Sequence, residues 1–135
     1  LIDYLRETSP FYIYSNPITP AEAAAALRAL NILDSEAGRD LLTHMRTLTR
    51  RFEKGLRDLG YETIPGDHPV VPLMIRDTAE TARLVEYLYE NGILATGLNY
   101  PVVPKGDEEI RFQVSADHTE FDIDAVLAGL ENFKH

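Results

Sequence analysis

Arg111 has both the type and the position to do chemistry. It stands in Ile110-Arg-Phe-Gln-Val-Ser115, where Ile110, Phe112 and Val114 alternate with Arg111, Gln113 and Ser115. A period of two sends the apolar trio to one face of a strand and the polar trio to the other. An arginine in mid-strand, turned away from the core, can grip a carboxylate through two parallel hydrogen bonds. A solvated strand face accounts for the same pattern, and the alternation alone does not choose between the two.

Other candidates carry less. Ser15-Asn16 lies ahead of a helix start and can donate hydrogen bonds to a phosphate, although such pairs are also ordinary turn formers. Lys105 follows Pro104 and is of the type that forms Schiff bases. In an exposed loop beside Asp107, Glu108 and Glu109 it reads as structural. His118, just before a helix start, is equally a capping histidine and a proton carrier. His44, His68, His118 and His135 share no ligand spacing with one another or with a carboxylate pair, so no metal site is expected. The chain has no cysteine and no Gly-x-Ser-x-Gly elbow, hence no nucleophile paired with a base. The Gly97 to Gly106 stretch is too loose for a phosphate-binding loop.

The elements that position these residues follow from local signals. Residues 1–8 read as a helix end, stopped ahead of Ser9-Pro10 because a residue before proline leaves the α region. Residues 11–14 read as extended, and Ser15-Asn16-Pro17 as a turn. Thr19, Pro20 and Glu22 make a capped helix start. That helix runs to about Leu33, is rich in alanine, and is expected to pack closely against neighbours. Leu41, Met45, Leu48, Phe52, Leu56 and Leu59 form one stripe of a second long helix, with Gly60 as its C-cap.

Residues 70–75 read as a strand in which Pro72 points to an edge or a bulge. Asp77 to Glu80 opens a third helix with Ala82, Val85, Leu88 and Tyr89 inward and Gly92 at its end. A short strand over 93–96, a loop, and the strand 110–115 follow. The last helix starts at Thr119-Glu-Phe-Asp122 and is buried through Ile123, Val126, Leu127, Leu130 and Phe133. This order predicts an α+β layer, a small sheet covered on one side by helices, in a single domain over 1–135.

Composition narrows the function class. A net charge of −9 with no cluster of Lys and Arg argues against nucleic acid and against anionic membranes. No apolar run approaches the roughly 20 residues of a membrane-spanning helix, and no secretory signal pattern is present. The absence of cysteine is compatible with a cytosolic protein. The chain opens on Leu1 with Leu-Ile-Asp-Tyr-Leu-Arg6, which reads as a helix cut through, so it is expected to be part of a longer protein.

Three stretches together resemble a known family: Tyr12-Ile-Tyr-Ser-Asn-Pro-Ile-Thr-Pro20, Thr96-Gly-Leu-Asn-Tyr-Pro-Val-Val-Pro-Lys-Gly106, and Ile110-Arg-Phe-Gln-Val-Ser-Ala-Asp-His-Thr119. In order and spacing they look like the C-terminal part of the α-oxoamine synthases, fold-type-I pyridoxal-phosphate enzymes. The Pro-Val-Val-Pro-Lys-Gly string and the Ser-Ala-x-His-Thr ending lean to the glycine C-acetyltransferase branch over 8-amino-7-oxononanoate synthase, 5-aminolevulinate synthase and serine palmitoyltransferase.

The resemblance implies a parent enzyme that condenses glycine with an acyl-CoA such as acetyl-CoA, releasing CoA and a 2-amino-3-oxo acid. It implies pyridoxal 5'-phosphate as cofactor, a cytoplasmic homodimer, and no nucleic-acid or membrane partner. By motif match Arg111 grips the amino-acid carboxylate and Tyr100 borders the substrate entrance. Ser15 and Asn16 lie near the cofactor phosphate of the partner subunit's site, and His118 is structural. The fold implied is the small C-terminal domain, an antiparallel sheet of about three strands with helices on one face, residues 1–18 connecting it to a larger domain. Asp117 departs from the family's usual alanine. The cofactor lysine, the ring-stacking histidine and the aspartate at the cofactor nitrogen are expected upstream of Leu1, which would leave this stretch inactive alone. An ordinary aminotransferase and a stand-alone amino-acid-binding module are the rival readings.

Overall fold

Leu48, Phe52 and Leu56 recur every four residues, and their stripe organises the computed structural model, which describes residues 1–134. The chain divides into two units, Leu1–Arg39 and Asp40–His135.

The first unit is helical. It holds α1 (Ile2–Thr8), α2 (Pro10–Ile13) and α3 (Pro20–Leu33). The extended segment expected over 11–14 is instead the helix α2. Ser9 keeps the extended conformation demanded ahead of a proline, but Pro10 sits at the first helical position, where its fixed φ favours a turn. The capping box of α3 forms as expected: Glu22 N donates to Thr19 Oγ1, and Thr19 N donates to Glu22 Oε2 at 3.0 Å. The close packing expected of α3 is not met within this unit, where Leu27 and Leu30 are 60% and 63% exposed. Alanine propensity and the cap sustain the helix without burial.

The second unit builds the sheet. α4 (Glu36–Asp58) runs into it and ends at Gly60, whose φ of 74° suits the left-handed C-cap. β1 (Glu62–Thr63), β2 (Val70–Met74), α5 (Thr78–Glu90), β3 (Thr96–Leu98), β4 (Glu109–Gln113) and α6 (Glu120–Phe133) follow. The strands lie in the order β1-β2-β4-β3, every neighbour antiparallel. Val71 and Leu73 of β2 and Ile110 and Phe112 of β4 turn inward, with Val114 beyond the strand end, against Leu48, Phe52 and Leu56 of α4, Leu84 and Leu88 of α5, and Ile123 and Leu130 of α6. Each such side chain contributes about 1.5–3 kcal/mol on full burial. The α+β class stands, with one strand more than expected.

Four details differ from the sequence reading. β1 is only two residues long, too short for an alternation to show. β3 begins at Thr96, because Gly92 (φ 76°) and the Ile93 N to Leu88 O bond of 2.8 Å are spent closing α5. Thr81 and Leu84, with Leu88, form the buried face of α5, leaving Ala82 exposed and Tyr89 72% exposed.

Pro72, finally, lies in a central strand. Val114 N donates to Pro69 O and Ile75 N to Glu108 O, so Pro72 and Arg111 form a non-hydrogen-bonded pair. The missing N–H of Pro72 therefore faces the β1 side, where that ladder has already ended at Thr63 opposite Leu73.

Candidate functional site

Arg111 lies on the sheet face opposite the helices, and the register fixes its neighbours. Pro72 of β2 and Thr96 of β3 stand directly opposite it on either side. One pleat along, Glu109 has Met74 and Leu98 as its opposed neighbours. Residues two apart on a strand share a face, so Glu109 and Arg111 meet. Arg111 Nε donates to Glu109 Oε1 at 2.6 Å. The Arg111 side chain is 53% exposed and that of Glu109 only 9%. Among the described residues, the two terminal nitrogens of Arg111 donate to no protein acceptor, so the outer edge of the guanidinium faces open space.

Arg111 borders a groove of about 490 Å³ lined also by Glu53, Ile64, Pro65, Gly66, His68, Val70, Pro72 and Glu109. Glu53 is a buried carboxylate from α4 that accepts from Gly66 N at 3.2 Å, pinning the loop at the groove's rim. The arrangement can take a small carboxylate through two parallel hydrogen bonds from Arg111.

Tyr100 sits on the loop that leads into β4, 61% exposed as a residue, and its bond to Pro101 is cis. Asn99 O accepts from Val102 N at 2.9 Å and gives the loop its turn. Lys105 Nζ lies 5.3 Å from the centroid of the Tyr100 ring, a cation–π contact on the exposed loop. Tyr100 and Arg111 share no hydrogen bond among the described residues, and are linked only by the chain segment between them.

Ser15 and Asn16 belong to the first unit. The Ser15 hydroxyl donates to Tyr12 O at 3.2 Å, and both residues are exposed. The start of α3 beyond them is already capped, Glu22 N donating to Thr19 Oγ1 and Thr19 N to the Glu22 carboxylate. His118 Nδ1 accepts from Ser115 N at 3.1 Å, which closes the turn between β4 and α6. No cluster of three or more potential metal ligands exists among the described residues, and no helix there is long and apolar enough to cross a membrane.

Two residues escaped the sequence reading. Glu109 is one, although its two-residue spacing from Arg111 was the available signal. Arg76 is the other, in the left-handed region at φ 64°. Its guanidinium reaches Glu62 through Nε at 2.8 Å and Gly106 O through Nη1 at 3.1 Å, tying β1 to the end of the Tyr100 loop. Pairing with Glu62 holds the Arg76 pKa high.

Similarity to known proteins covers nearly all of the chain. The family model described as aminotransferase class I and II matches residues 1–130. The 8-amino-7-oxononanoate synthase of Marinobacter nauticus is 38% identical over 130 residues, covering 96% of this chain and 32% of that protein. The mitochondrial 2-amino-3-ketobutyrate coenzyme A ligase of Mus musculus is also 38% identical, over 125 residues, covering 92% of this chain and 29% of that protein. The chain thus spans about a third of the length of these relatives. A serine palmitoyltransferase solved with PLP has the same fold, with a TM-score of 0.85 at 21% identity, covering 97% of this chain and 33% of that one. Equal identity to the synthase and to the ligase does not separate those two activities.

Proposed function

We propose, since this chain belongs to the aminotransferase class I and II family, that it is the C-terminal domain of an enzyme condensing glycine with acetyl-CoA. The products are 2-amino-3-oxobutyrate and CoA. The observation that carries the reading is the Arg111 guanidinium, on the sheet face away from the helices, its terminal nitrogens donating to no protein acceptor among the described residues. A short α-amino acid has one carboxylate by which it can be oriented, and a bidentate arginine fixes both its position and its plane.

The chain's own residues divide the work. Arg111 binds and orients the carboxylate. Tyr100 and the following loop border the entrance through which amino acid and acyl-CoA arrive. Asn16 offers a carboxamide donor on an exposed turn, and the Ser15 hydroxyl joins it by turning from Tyr12 O to an oxygen of a cofactor phosphate; in a homodimer the two serve the partner subunit's site. Pyridoxal phosphate, when bound, supplies the electron sink that makes the amino-acid Cα acidic. The lysine that anchors it is assigned to the larger part of the protein, so this domain alone turns nothing over. The cytoplasm is the compartment we propose for the enzyme. Residues 1–18 serve as the connection to the larger domain.

The similarity to an 8-amino-7-oxononanoate synthase supports a sister reading, the same condensation with a longer acyl-CoA. Thiol release by the PLP-loaded enzyme that contains this chain, with glycine and a panel of acyl-CoAs, tests both. Release with acetyl-CoA is expected. Release only with longer thioesters moves the assignment to the sister activity, and release with none removes the acyltransferase reading.

A further inference from the structure

We propose that Glu109 is a positioning residue for Arg111, fixing its guanidinium so that a substrate carboxylate is taken end-on through the two terminal nitrogens. The inference rests on the reading of Arg111 as the carboxylate grip. An arginine can meet a carboxylate on its side edge, through Nε and one terminal nitrogen, or on its outer edge, through both terminal nitrogens. Here the side edge is taken, with Glu109 Oε1 2.6 Å from Nε. Glu109 is not free to yield that place. It is 7% exposed, flanked by Met74 on β2 and Leu98 on β3, and among the described residues Arg111 is the one hydrogen-bond partner of its carboxylate. Withdrawing from Nε would strand a desolvated carboxylate without a partner. The long arginine side chain, half in solvent, is thereby held in one orientation before any ligand arrives, and less freedom is lost on binding.

Charge acts in the opposite sense. A carboxylate beside Arg111 weakens its attraction for a second carboxylate, so simply removing Glu109 mixes two effects. Glu109→Gln and Glu109→Met separate them. Both are neutral and similar in shape, but only the glutamine oxygen accepts from Nε. In the PLP-loaded enzyme that carries this chain, the amino-acid KM of Glu109→Met is expected to stand roughly tenfold above that of Glu109→Gln, with kcat alike in the two. Glu109→Leu replaces the methionine variant if that one does not fold.

Arg111→Ala tells the two possible failures apart. A raised KM in Arg111→Ala, with equal KM values for the glutamine and methionine variants, overturns the role of Glu109 alone. An unchanged KM in Arg111→Ala overturns the carboxylate reading, and the role of Glu109 falls with it.

Discussion

Thr78 Oγ1 donates to Glu108 Oε1 at 3.0 Å, and this bond fastens the loop that carries Tyr100 to the start of α5. The other carboxylate oxygen of Glu108 accepts from Gly106 N at 2.9 Å, and the residue is only 2% exposed. Its own amide, Thr78 and Gly106 bond to the charged form and hold its pKa below the ordinary 4.5, against burial and the charge of Asp77.

A depressed folded-state pKa stabilises the fold above the unfolded value and ceases to do so as pH falls through the folded one. Wild type should therefore lose this contribution progressively below pH 4.5. Glu108→Gln should be less stable than wild type at neutral pH, and the gap should narrow on acidification. Urea unfolding at a series of pH values measures it, and a gap that is constant with pH would remove Glu108 from the account.

Gly97 supplies the second test. It pairs with Ile110 on the helix side of the sheet, where a Cβ would stand 2.8 Å from Val85 Cγ2 and 3.1 Å from Thr81 Cγ2. Val85 has one strongly preferred rotamer in a helix, and Thr81 is held by its hydroxyl bond to Asp77 O at 2.7 Å, so neither gives way easily. Overpacking costs about 1–3 kcal/mol. Relieving a strand glycine returns about 0.5–1 kcal/mol. Gly97→Ala should therefore destabilise by about 1 kcal/mol in denaturant unfolding.

The helices were legible because their signals are local. Thr19 with Glu22, Asp77 with Glu80 and Thr119 with Asp122 are each complete within four residues, and each forms the cap its sequence announces. The sheet was legible only where a strand was long enough to alternate. β1 is two residues long, and the start of β3 depends on how α5 is closed by Gly92 and Ile93. Pro72 on local grounds points to an edge or a bulge, whereas its tolerance in the centre depends on the register of two other strands. The face that Arg111 takes could be read from Ile110, Phe112 and Val114. Its partner has only a two-residue spacing to announce it, and a strand taken to begin at Ile110 leaves Glu109 in the loop. Glu109 is buried where β4 lies between β2 and β3, opposite Met74 and Leu98, a pairing that only the sheet register sets.

Arg111→Lys probes the fork itself. Lysine keeps the charge but offers a compact ammonium, which cannot bond both carboxylate oxygens in one plane. Because position 111 faces away from the core, the thermal midpoint should stay close to wild type. The amino-acid KM of the loaded enzyme should rise roughly tenfold or more, since a charge-assisted bond is lost. An unchanged KM would mean that charge alone suffices at this position.

Tyr61 offers a test at the other end of the pH scale. Its hydroxyl, part-buried beneath α6, donates to Leu130 O at 2.9 Å, and the Lys134 ammonium sits 3.8 Å from its ring centroid. Burial, and then the charge of Glu80, push its pKa above the ordinary 10.0. The fold therefore favours the protonated phenol, and the contribution is complete below pH 10 and lost as pH rises through the higher folded value. Tyr61→Phe keeps the ring but leaves Leu130 O without its donor, at a cost of about 1 kcal/mol near neutrality. Above pH 10 the wild type must ionise a half-buried phenol while the variant has nothing to ionise, so the two stabilities should converge. A stability difference that persists unchanged at alkaline pH would show that the hydroxyl contributes through packing and not through its proton.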